Sequence, residues 1–563
     1  MALSSELLHA PTVTIVTERL AIASEFRDHN NNMRLRYSPF ILLLAASPIA
    51  AQDIGERELV LNEVQLPGMP GVQSFAWGQD AGQWFVIGGR VDGLHRRQPF
   101  AAFLAAANNT TTYVIDPATE QVWSASIATL PQPLLEQLQS TNMEFIQSGQ
   151  TLYVIGGYGY SPTAADHITH PNLTAIDLPG VMDAIRNAQP IAPHFRQITD
   201  MRMEVTGGQL GRIDDHFQLV GGQRFIGRYN PMGPDFGPGF VQQYTNAIRK
   251  FRIDDDGTNM TIADYTEAVD TMELHRRDYN MVPQVFPDGS TGYTVFSGVF
   301  QYAADVPWLN TLDIHGSGWN VVPVFEQLLN QYHTAHAAFW DGSTNTMHTV
   351  FFGGIGRYYF DGNTLMDDPN VPFVNTISRV TRAASGALTE SAIGSMPALL
   401  GASGEFIPLV TLPTAGEGII RSDLLNGDSV LIGHIIGGIK STAPNIFFIN
   451  TGVESEASAR VFEVYLVQTP TSIAESIDAG GTTLRVLPTT DEAAVRVMFT
   501  LPATESILLR IVDNTGRSVR TLIDGRAPAG EHELIVPVDQ LAEGSYRVVL
   551  TSDGQQRSAA LIR

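Results

Sequence analysis

The chain has 563 residues, of which 44% are hydrophobic, and its formal net charge at pH 7 is −24. A chain of this length can bury a large core and is expected to hold more than one domain. The acidity argues against nucleic acid or an anionic membrane as a partner of the surface as a whole, and the complete lack of cysteine excludes disulfides, thiolate nucleophiles and cysteine-based metal sites.

The N-terminal region has the pattern of a secretory signal peptide. Residues 33–36 are a short basic stretch, residues 40–46 form an apolar core, and Ile49, Ala50 and Ala51 supply small residues for cleavage. We therefore predict a signal peptide at residues 33–51. Residues 1–32 are interpreted as a start-site extension, with a genuine N-terminal extension as the alternative. Other apolar stretches are too short for a transmembrane helix, so we expect no membrane span.

A glycine doublet recurs at the end of short apolar runs. The first glycines stand at positions 88, 156, 221, 353 and 437, and Ser297-Gly298 is a degraded copy. The intervals between successive copies run from 56 to 84 residues. Self-similarity at this spacing predicts a repeat fold, and the β-branched and aromatic residues before each doublet predict strands.

The segment after the first doublet carries the phrase YVIDPATEQVW at residues 113–123, and related phrases occur at 172–177, 246–254, 310–313 and 375–380. Doublets followed by such phrases resemble the Kelch repeat. The resemblance implies an all-β, Kelch-like β-propeller over residues 52–468, with six blades expected and seven left open. It implies little about function, because Kelch propellers include enzymes, glycan binders and protein scaffolds.

Residues 58–64 precede the first blade and alternate in polarity as a strand does. We expect this segment to complete the final blade, beside strands at residues 446–448 and 461–467.

After a linker at residues 469–485, residues 486–563 form a separate unit of alternating apolar runs, which predicts a small Ig-like β-sandwich. Its turns and strand starts resemble the C-terminal sorting domain of type IX secretion substrates. The matching positions are Asp513, Gly516, Gly530, Leu541, residues 544–546 and residues 560–563. The resemblance implies export by the type IX machinery of a Bacteroidota-like bacterium to the cell surface or medium. An ordinary Ig-like accessory domain is the alternative.

Arginine, histidine and tyrosine residues follow the doublets or stand near blade entries, where propeller topology would place them on one face. Arginine pairs with carboxylates and sulfates, and tyrosine stacks on sugar faces, so this face is a candidate glycan site. The candidate ligand-binding residues are Arg90, Arg96, Tyr158, Arg224, Arg276, His333, His336, Arg357 and Tyr358. Arg90, Arg224 and Arg357 are expected at equivalent blade positions. The alternative is that these arginines are structural and pair with carboxylates between blades.

Catalytic and metal-binding motifs are largely missing from the sequence. A galactose-oxidase-type copper centre is excluded because that centre needs a crosslinked cysteine and the chain has none. His333 and His336 do not have the spacing of a helical pair of metal ligands. Residues 254–257 and 361–363 lack the full spacing of a calcium loop and are interpreted as turns. We expect no metal or cofactor and assign no catalytic residue. Glu204 and Asp278 could approach each other across a central channel, which leaves acid–base catalysis open.

The sequence thus predicts a secreted or cell-surface propeller that binds a glycan or a protein ligand. The alternative is a sugar-processing enzyme similar to the Kelch sialic-acid mutarotases.

Overall fold

The computed structural model describes residues 53–54, 57–98, 100–230, 232, 235, 237, 239–362, 364–468, 483–488, 494–513, 517–542, 544–552 and 555–562. The predicted signal peptide, the predicted extension before it and most of the predicted linker lie outside these residues. Most of the described chain forms antiparallel strands, which confirms the all-β prediction.

Six successive four-stranded antiparallel units, here called meanders 1 to 6, form the main part of residues 57–468. Meanders 5 and 6 belong to larger sheets of five and six strands, and the fifth strand beside meander 5 is parallel to its neighbour. Their strands are short apolar runs that end at glycine, asparagine or aspartate turns, as expected for β-formers bounded by turn residues. Meander 1 comprises Ala76–Asp80, Gln83–Ile87, Thr111–Asp116 and Gln121–Ser126, and meander 2 comprises Glu144–Ser148, Thr151–Ile155, Asn172–Asp177 and Phe195–Thr199. Meander 3 comprises Gln209–Ile213, His216–Val220, Ala247–Asp255 and Met260–Val269, and meander 4 comprises Asn280–Val285, Thr291–Phe296, Leu312–His315 and Gly318–Val321. Meander 5 comprises His336–Asp341, Thr346–Ile355, Phe373–Arg382 and Leu388–Ser395, and meander 6 comprises Leu400–Pro408, Ser429–Ser441, Val461–Gln468 and Arg57–Val64.

Each pair of consecutive meanders shares a hydrophobic core. Buried residues that belong to the same core are Phe85 and Val154, Ile155 and Phe217, Val220 and Val295, Phe296 and Phe351, and Phe352 and Phe406, for meanders 1–2 through 5–6 in order. A further core joins Ile407 and Ile436 of meander 6 to Trp84 of meander 1. Burying a side chain of this size contributes roughly 1.5–3 kcal/mol. The sheets are therefore held together face to face, and the last packs against the first.

The N-terminal strand closes meander 6. Arg57–Val64 pairs antiparallel with Val461–Gln468 in unbroken register, from Arg57 opposite Gln468 to Val64 opposite Val461. This confirms the predicted pairing of residues 58–64 with 461–467. The prediction of a strand at 446–448 is wrong. This segment forms a turn in which Ile449 N donates to Ile446 O over 3.0 Å.

Glycine recurs near the end of the second strands because the backbone there adopts a conformation that favours glycine. Both members of each doublet have positive φ, for example +72° and +78° at Gly88 and Gly89. The first glycine also touches the next meander, since a Cβ on Gly156 would lie 1.9 Å from Val205 O. Ser297 adopts the same conformation with φ +65°, and its hydroxyl donates to Asn330 Oδ1 over 3.1 Å. The degraded copy is therefore equivalent in conformation to the other five.

Insertions in meanders 2 and 3 combine into one extra sheet. Its strands are Tyr158–Ser161, Asp166–Thr169, Gln223–Ile226 and Val241–Tyr244. Helix α1 spans Gln132–Leu138 and helix α2 spans Leu178–Arg186. The remaining strands are a hairpin of Tyr358–Asp361 and Thr364–Asp367, and the short strands Asp53–Ile54, Ile419–Arg421 and Ser455–Ala457. Single 3₁₀ turns lie at Ala105–Ala107, Ile127–Thr129, Ala192–His194, Met201–Met203 and Ser422–Leu424.

The C-terminal region forms two antiparallel sheets around one apolar core. Thr483–Pro488, Ala494–Leu501 and Gly530–Pro537 form the first, and Glu505–Asp513, Ser518–Ala527, Ser545–Ser552 and Gln555–Ile562 form the second. Val497, Leu509 and Leu550 are fully buried between them. The apolar runs at 494–499, 507–512, 534–538 and 545–550 predict four strands, and these are found, with the third ending one residue earlier at Pro537. Three further strands at 483–488, 518–527 and 555–562 were not predicted.

Candidate functional site

Six backbone hydrogen bonds join the entries of the six meanders into a closed ring. Each entry residue donates its N–H to the carbonyl of the corresponding residue in the preceding meander. The bonds are Asn142 to Ser74 (3.2 Å), Gly207 to Asn142 (3.2 Å), Asp278 to Gly207 (2.8 Å), His333 to Asp278 (3.0 Å), Ser403 to His333 (2.8 Å) and Ser74 to Ser403 (3.0 Å). We call these six the ring residues. The ring fixes the first strands around one axis, because every N–H and C=O in it is paired.

A cavity of about 490 Å³ lies against this ring. All the ring residues except Gly207 line it, as do the residues that precede the ring residues and the residues that follow the doublets. The preceding residues are Gln73, Thr141, Thr206, Arg277, Tyr332 and Ala402, and the residues after the doublets are Arg90, Tyr158, Gln223, Val299, Ile355 and Ile439. Every meander thus contributes through equivalent backbone positions.

Arg277 and Asp278 form the charged centre of the cavity. The guanidinium donates to the Asp278 carboxylate and, through Nε over 3.1 Å, to the Tyr244 hydroxyl, and it lies 5.2 Å from the centre of the Phe300 ring. Burial disfavours its charge, but Tyr244 and Asp278 outweigh this and raise the pKa of Arg277. The pair therefore offers fixed donors and acceptors side by side.

His333 brings a second ionisable group to the ring. Its Nε2 lies 3.1 Å from Glu405 Oε1, and Trp77 Nε1 donates to Glu405 Oε2 over 3.3 Å. Burial disfavours the protonated ring, but the hydrogen bond and charge of Glu405 outweigh it and raise the pKa of His333. Arg277, Asp278 and His333 thus come from the entries of two adjacent meanders and line the same cavity.

Aromatic side chains also line the cavity. His95 stacks on Phe103 with ring centres 5.2 Å apart, and it meets Tyr229 and Phe447 edge-on at 5.0 and 5.8 Å. Burial lowers the pKa of His95 to about 4, so this imidazole is neutral at pH 7. Tyr332 lies on the cavity wall, and its buried hydroxyl has no hydrogen-bond partner among the described residues.

Three of the nine predicted ligand-binding residues line the cavity: Arg90, Tyr158 and His333. Arg90 is only 2% exposed and donates to Asp92, Asn108 Oδ1 and Leu104 O. The Tyr158 hydroxyl donates to Gly227 O over 2.8 Å and accepts from Tyr229 N. Both polar groups are therefore engaged with the protein itself.

The other six predicted residues are not among those that line the cavity. Arg224 pairs with Glu204, and Arg357 pairs with Asp367 and lies over the Tyr358 ring. Arg276 donates to Ser297 O and Asn310. His336 Nδ1 lies 2.9 Å from Thr334 O, and the Arg96 guanidinium packs against Gly452. Glu204 is thus paired with Arg224, whereas Asp278 is paired with Arg277.

The expected equivalence of Arg90, Arg224 and Arg357 is wrong. They stand two, three and four positions after the first doublet residues Gly88, Gly221 and Gly353. The position of Arg90 forms a bridge to the residue before the ring residue, and the same bridge joins Tyr158 to Thr141 and Gln223 to Thr206. Arg277 and Asn142 were not among the predicted site residues. Aligning the six entry segments, rather than the doublets, would have selected them.

These sheets and this cavity define the chain as an all-β protein of repeated antiparallel sheets. No family model matches the chain, and no curated protein matches it. Among solved structures, one titled "Structure of YjhT" is similar at 12% sequence identity with a TM-score of 0.38, covering 70% of this chain and 99% of that chain. Within the described part of the chain, no helix is long and apolar enough to cross a membrane, and no three or more acidic or histidine side chains are grouped to hold a metal.

Proposed function

We propose that residues 57–468 are a six-bladed Kelch-type propeller whose cavity binds a small saccharide. The closed ring of six hydrogen bonds, the six shared cores and the strand contributed by Arg57–Val64 support the propeller assignment. They favour six blades over seven.

The observation that carries the ligand assignment is that charged and polar groups and aromatic rings line one cavity. Arg277, Asp278 and His333 supply donors and acceptors for hydroxyl or carboxylate groups, and the hydroxyl of Tyr332 on the cavity wall has no hydrogen-bond partner among the described residues. The aromatic faces suit the C–H faces of a sugar ring. A volume of about 490 Å³ is in the range of small-ligand pockets, roughly 300–1,000 Å³, which favours a saccharide over a folded protein as ligand.

Titration calorimetry of the chain from residue 52 with panels of neutral and acidic saccharides tests this proposal. We expect Arg277→Lys and Asp278→Asn to weaken binding at least tenfold when they are measured at a temperature at which each variant is folded by circular dichroism. Arg357→Lys is the matched control, because Arg357 pairs with Asp367 and is not among the residues that line the cavity. If no saccharide binds, or if Arg357→Lys weakens binding as much as Arg277→Lys does, the proposal that the cavity binds a saccharide is wrong.

A sugar-processing enzyme is the second candidate. Its support is the convergence of a carboxylate, a guanidinium and an imidazole in one cavity, the groups that proton transfer at a sugar would use. The measurement is NMR exchange between the anomers of a bound reducing sugar. Acceleration that Asp278→Asn abolishes would favour the enzyme, and binding without acceleration would favour a binding protein.

We also propose that the protein is secreted or carried to the cell surface by type IX secretion, with residues 33–51 as signal peptide and residues 486–563 as sorting domain. The support is the motif pattern in the sequence, including Leu541 and Tyr546. A fusion of residues 486–563 to a periplasmic reporter should leave a type IX-competent cell, and the same fusion without residues 560–563 should not. Retention of both fusions in the periplasm would contradict the proposal.

A further inference from the structure

A continuous path of aromatic side chains leads from the cavity to the protein surface. In the cavity, the His95 ring contacts the rings of Tyr229 and Phe103. The ring centres of His95 and Phe447 are 5.8 Å apart, and those of Phe447 and Phe448 are 5.3 Å apart. Phe447 and Phe448 both belong to the cavity lining. The last ring of the path therefore lies at the mouth.

The outer end of this path is exposed and held in place. Phe448 is 54% exposed and Ile449 is 61% exposed. The Arg97 guanidinium lies 4.8 Å from the centre of the Phe448 ring, and the fully buried Asn450 donates to Leu94 O and His95 O over 2.7 and 3.0 Å. Because Phe448 and Ile449 are adjacent, large and exposed beside a cavity, they are a candidate interaction site. Because Asn450 ties the loop down, this platform is preorganised and little entropy is lost when a ligand orders it.

We expect the ring of entries that borders the cavity to be too narrow for a sugar to pass. Neighbouring backbones joined by hydrogen bonds lie about 4.8 Å apart, so six of them make a ring with a radius of about 5 Å, measured to the backbone centres. The side chains of the ring residues narrow it further, since Asn142 Nδ2 donates to Asp278 Oδ1 over 3.2 Å. A saccharide chain that cannot pass through the ring enters the cavity with one of its ends.

We propose that the cavity takes the terminal unit of a saccharide chain and that the platform of Phe448, Ile449 and Arg97 holds the units that follow. The proposal rests on the saccharide-binding function proposed above and narrows it to oligosaccharides or polysaccharides bound from an end. The continuity of the aromatic path is what selects a chain over a single sugar, because an isolated monosaccharide in the cavity would leave the platform unused.

The experiment uses the chain from residue 52 and linear ladders of one to six units of glucose, xylose, N-acetylglucosamine and galacturonic acid. For the ladder that binds, we expect affinity to rise from one unit to three or four and then to level off. Phe448→Ala should weaken binding of the longer members by roughly threefold to tenfold, as expected for loss of an aromatic contact, and weaken binding of the monosaccharide less, because Phe448 is the outermost ring of the aromatic path. Phe360→Ala is the matched control, because Phe360 is a 45% exposed phenylalanine outside the cavity lining.

Hexamers of the same sugar with a bulky group on the reducing end, on the other end, or on both ends test the mode of entry. We expect loss of binding when both ends are blocked. If doubly blocked hexamers bind as well as free ones, or if affinity does not depend on chain length and Phe448→Ala has no effect, this inference is overturned while saccharide binding stands. If no ladder member binds at all, the proposed function itself fails, and this inference fails with it.

Discussion

Asn142 and Asp278 are 136 positions apart in the sequence, yet Asn142 Nδ2 donates to Asp278 Oδ1 over 3.2 Å. Gly207 stands between them in the ring of backbone hydrogen bonds. A Cβ on Gly207 would lie 2.8 Å from Asp278 Oδ1, so the absence of a side chain there is what lets the two residues meet. The geometry of the Arg277–Asp278 pair thus depends on three different meanders.

The first prediction concerns Asn142, whose φ is +51°. Asparagine tolerates this left-handed conformation better than alanine, and glycine adopts it freely. Asn142→Ala should therefore destabilise the protein by about 2 kcal/mol, from strain and from the lost hydrogen bond to Asp278. Asn142→Gly should cost about 1 kcal/mol, because only the hydrogen bond is lost. Denaturant unfolding measures both, and equal losses would show that strain at this position is negligible.

A second prediction separates backbone conformation from packing at the doublets. Gly353 and Gly149 have nearly the same φ, +63° and +60°, but a Cβ on Gly353 would lie 2.1 Å from Leu400 O while a Cβ on Gly149 would meet nothing within 4 Å. We expect Gly149→Ala to cost about 1 kcal/mol and Gly353→Ala about 3 kcal/mol or more in the free energy of unfolding. Similar losses would mean that contact with the next meander contributes little.

The third prediction concerns closure by Arg57–Val64. Deleting residues 52–66 removes the partner of Val461–Gln468 and should lower the melting temperature of the whole ring in one cooperative transition. Within the strand, Leu59→Ala should cost about 2–4 kcal/mol, because Leu59 is 7% exposed and belongs to a core. Val60→Ala is the control, since Val60 is 37% exposed and should cost less than about 1 kcal/mol. A deletion variant that melts like the parent would contradict this role.

The fourth prediction concerns the pH dependence of stability at Glu144. This carboxyl is 1% exposed, its Oε1 accepts from Gly208 N over 2.8 Å, and burial raises its pKa to about 8. The folded state therefore keeps a proton that the unfolded chain releases above its ordinary pKa near 4.5. The contribution of Glu144 to stability should fall as the pH rises from about 4.5 to about 8 and change little above that.

Glu144→Gln removes this titration while it keeps the shape of the side chain. The parent should lose stability at this site as the pH rises from 5 to 8, and the variant should not. The melting temperature of the variant minus that of the parent should therefore be larger at pH 8 than at pH 5. The exposed Glu531, replaced in the same way, provides the control. A difference between Glu144→Gln and the parent that is the same at pH 5 and pH 8 would contradict the raised pKa.

Much of the fold could be predicted because it is local. The doublets and the degraded copy lie at or near the ends of the second strands, and Ser297 has a positive φ like the first glycines of the doublets. Alternation in residues 58–64 was enough to predict a strand. The extra sheet was not predicted, because it joins Asp166–Thr169 to Gln223–Ile226 from two insertions, and nothing in either segment encodes the other.

The site was harder to predict because it is formed by residues from segments that are far apart in the sequence. Arginines near doublets were selected by type, and the structure shows that Arg224, Arg276 and Arg357 are paired within the protein and are not part of the cavity lining. What distinguishes Arg277 is its place one residue before the ring residue Asp278, a position defined by hydrogen bonds between meanders.

The sequence by itself determined the all-β class, the recurring glycine doublets and the N-terminal strand at residues 58–64, because strand propensity and glycine conformation act over a few residues. Only the tertiary structure decided which polar groups face the cavity. That outcome depends on the ring of bonds among Ser74, Asn142, Gly207, Asp278, His333 and Ser403, and these residues become neighbours only when all six meanders are assembled.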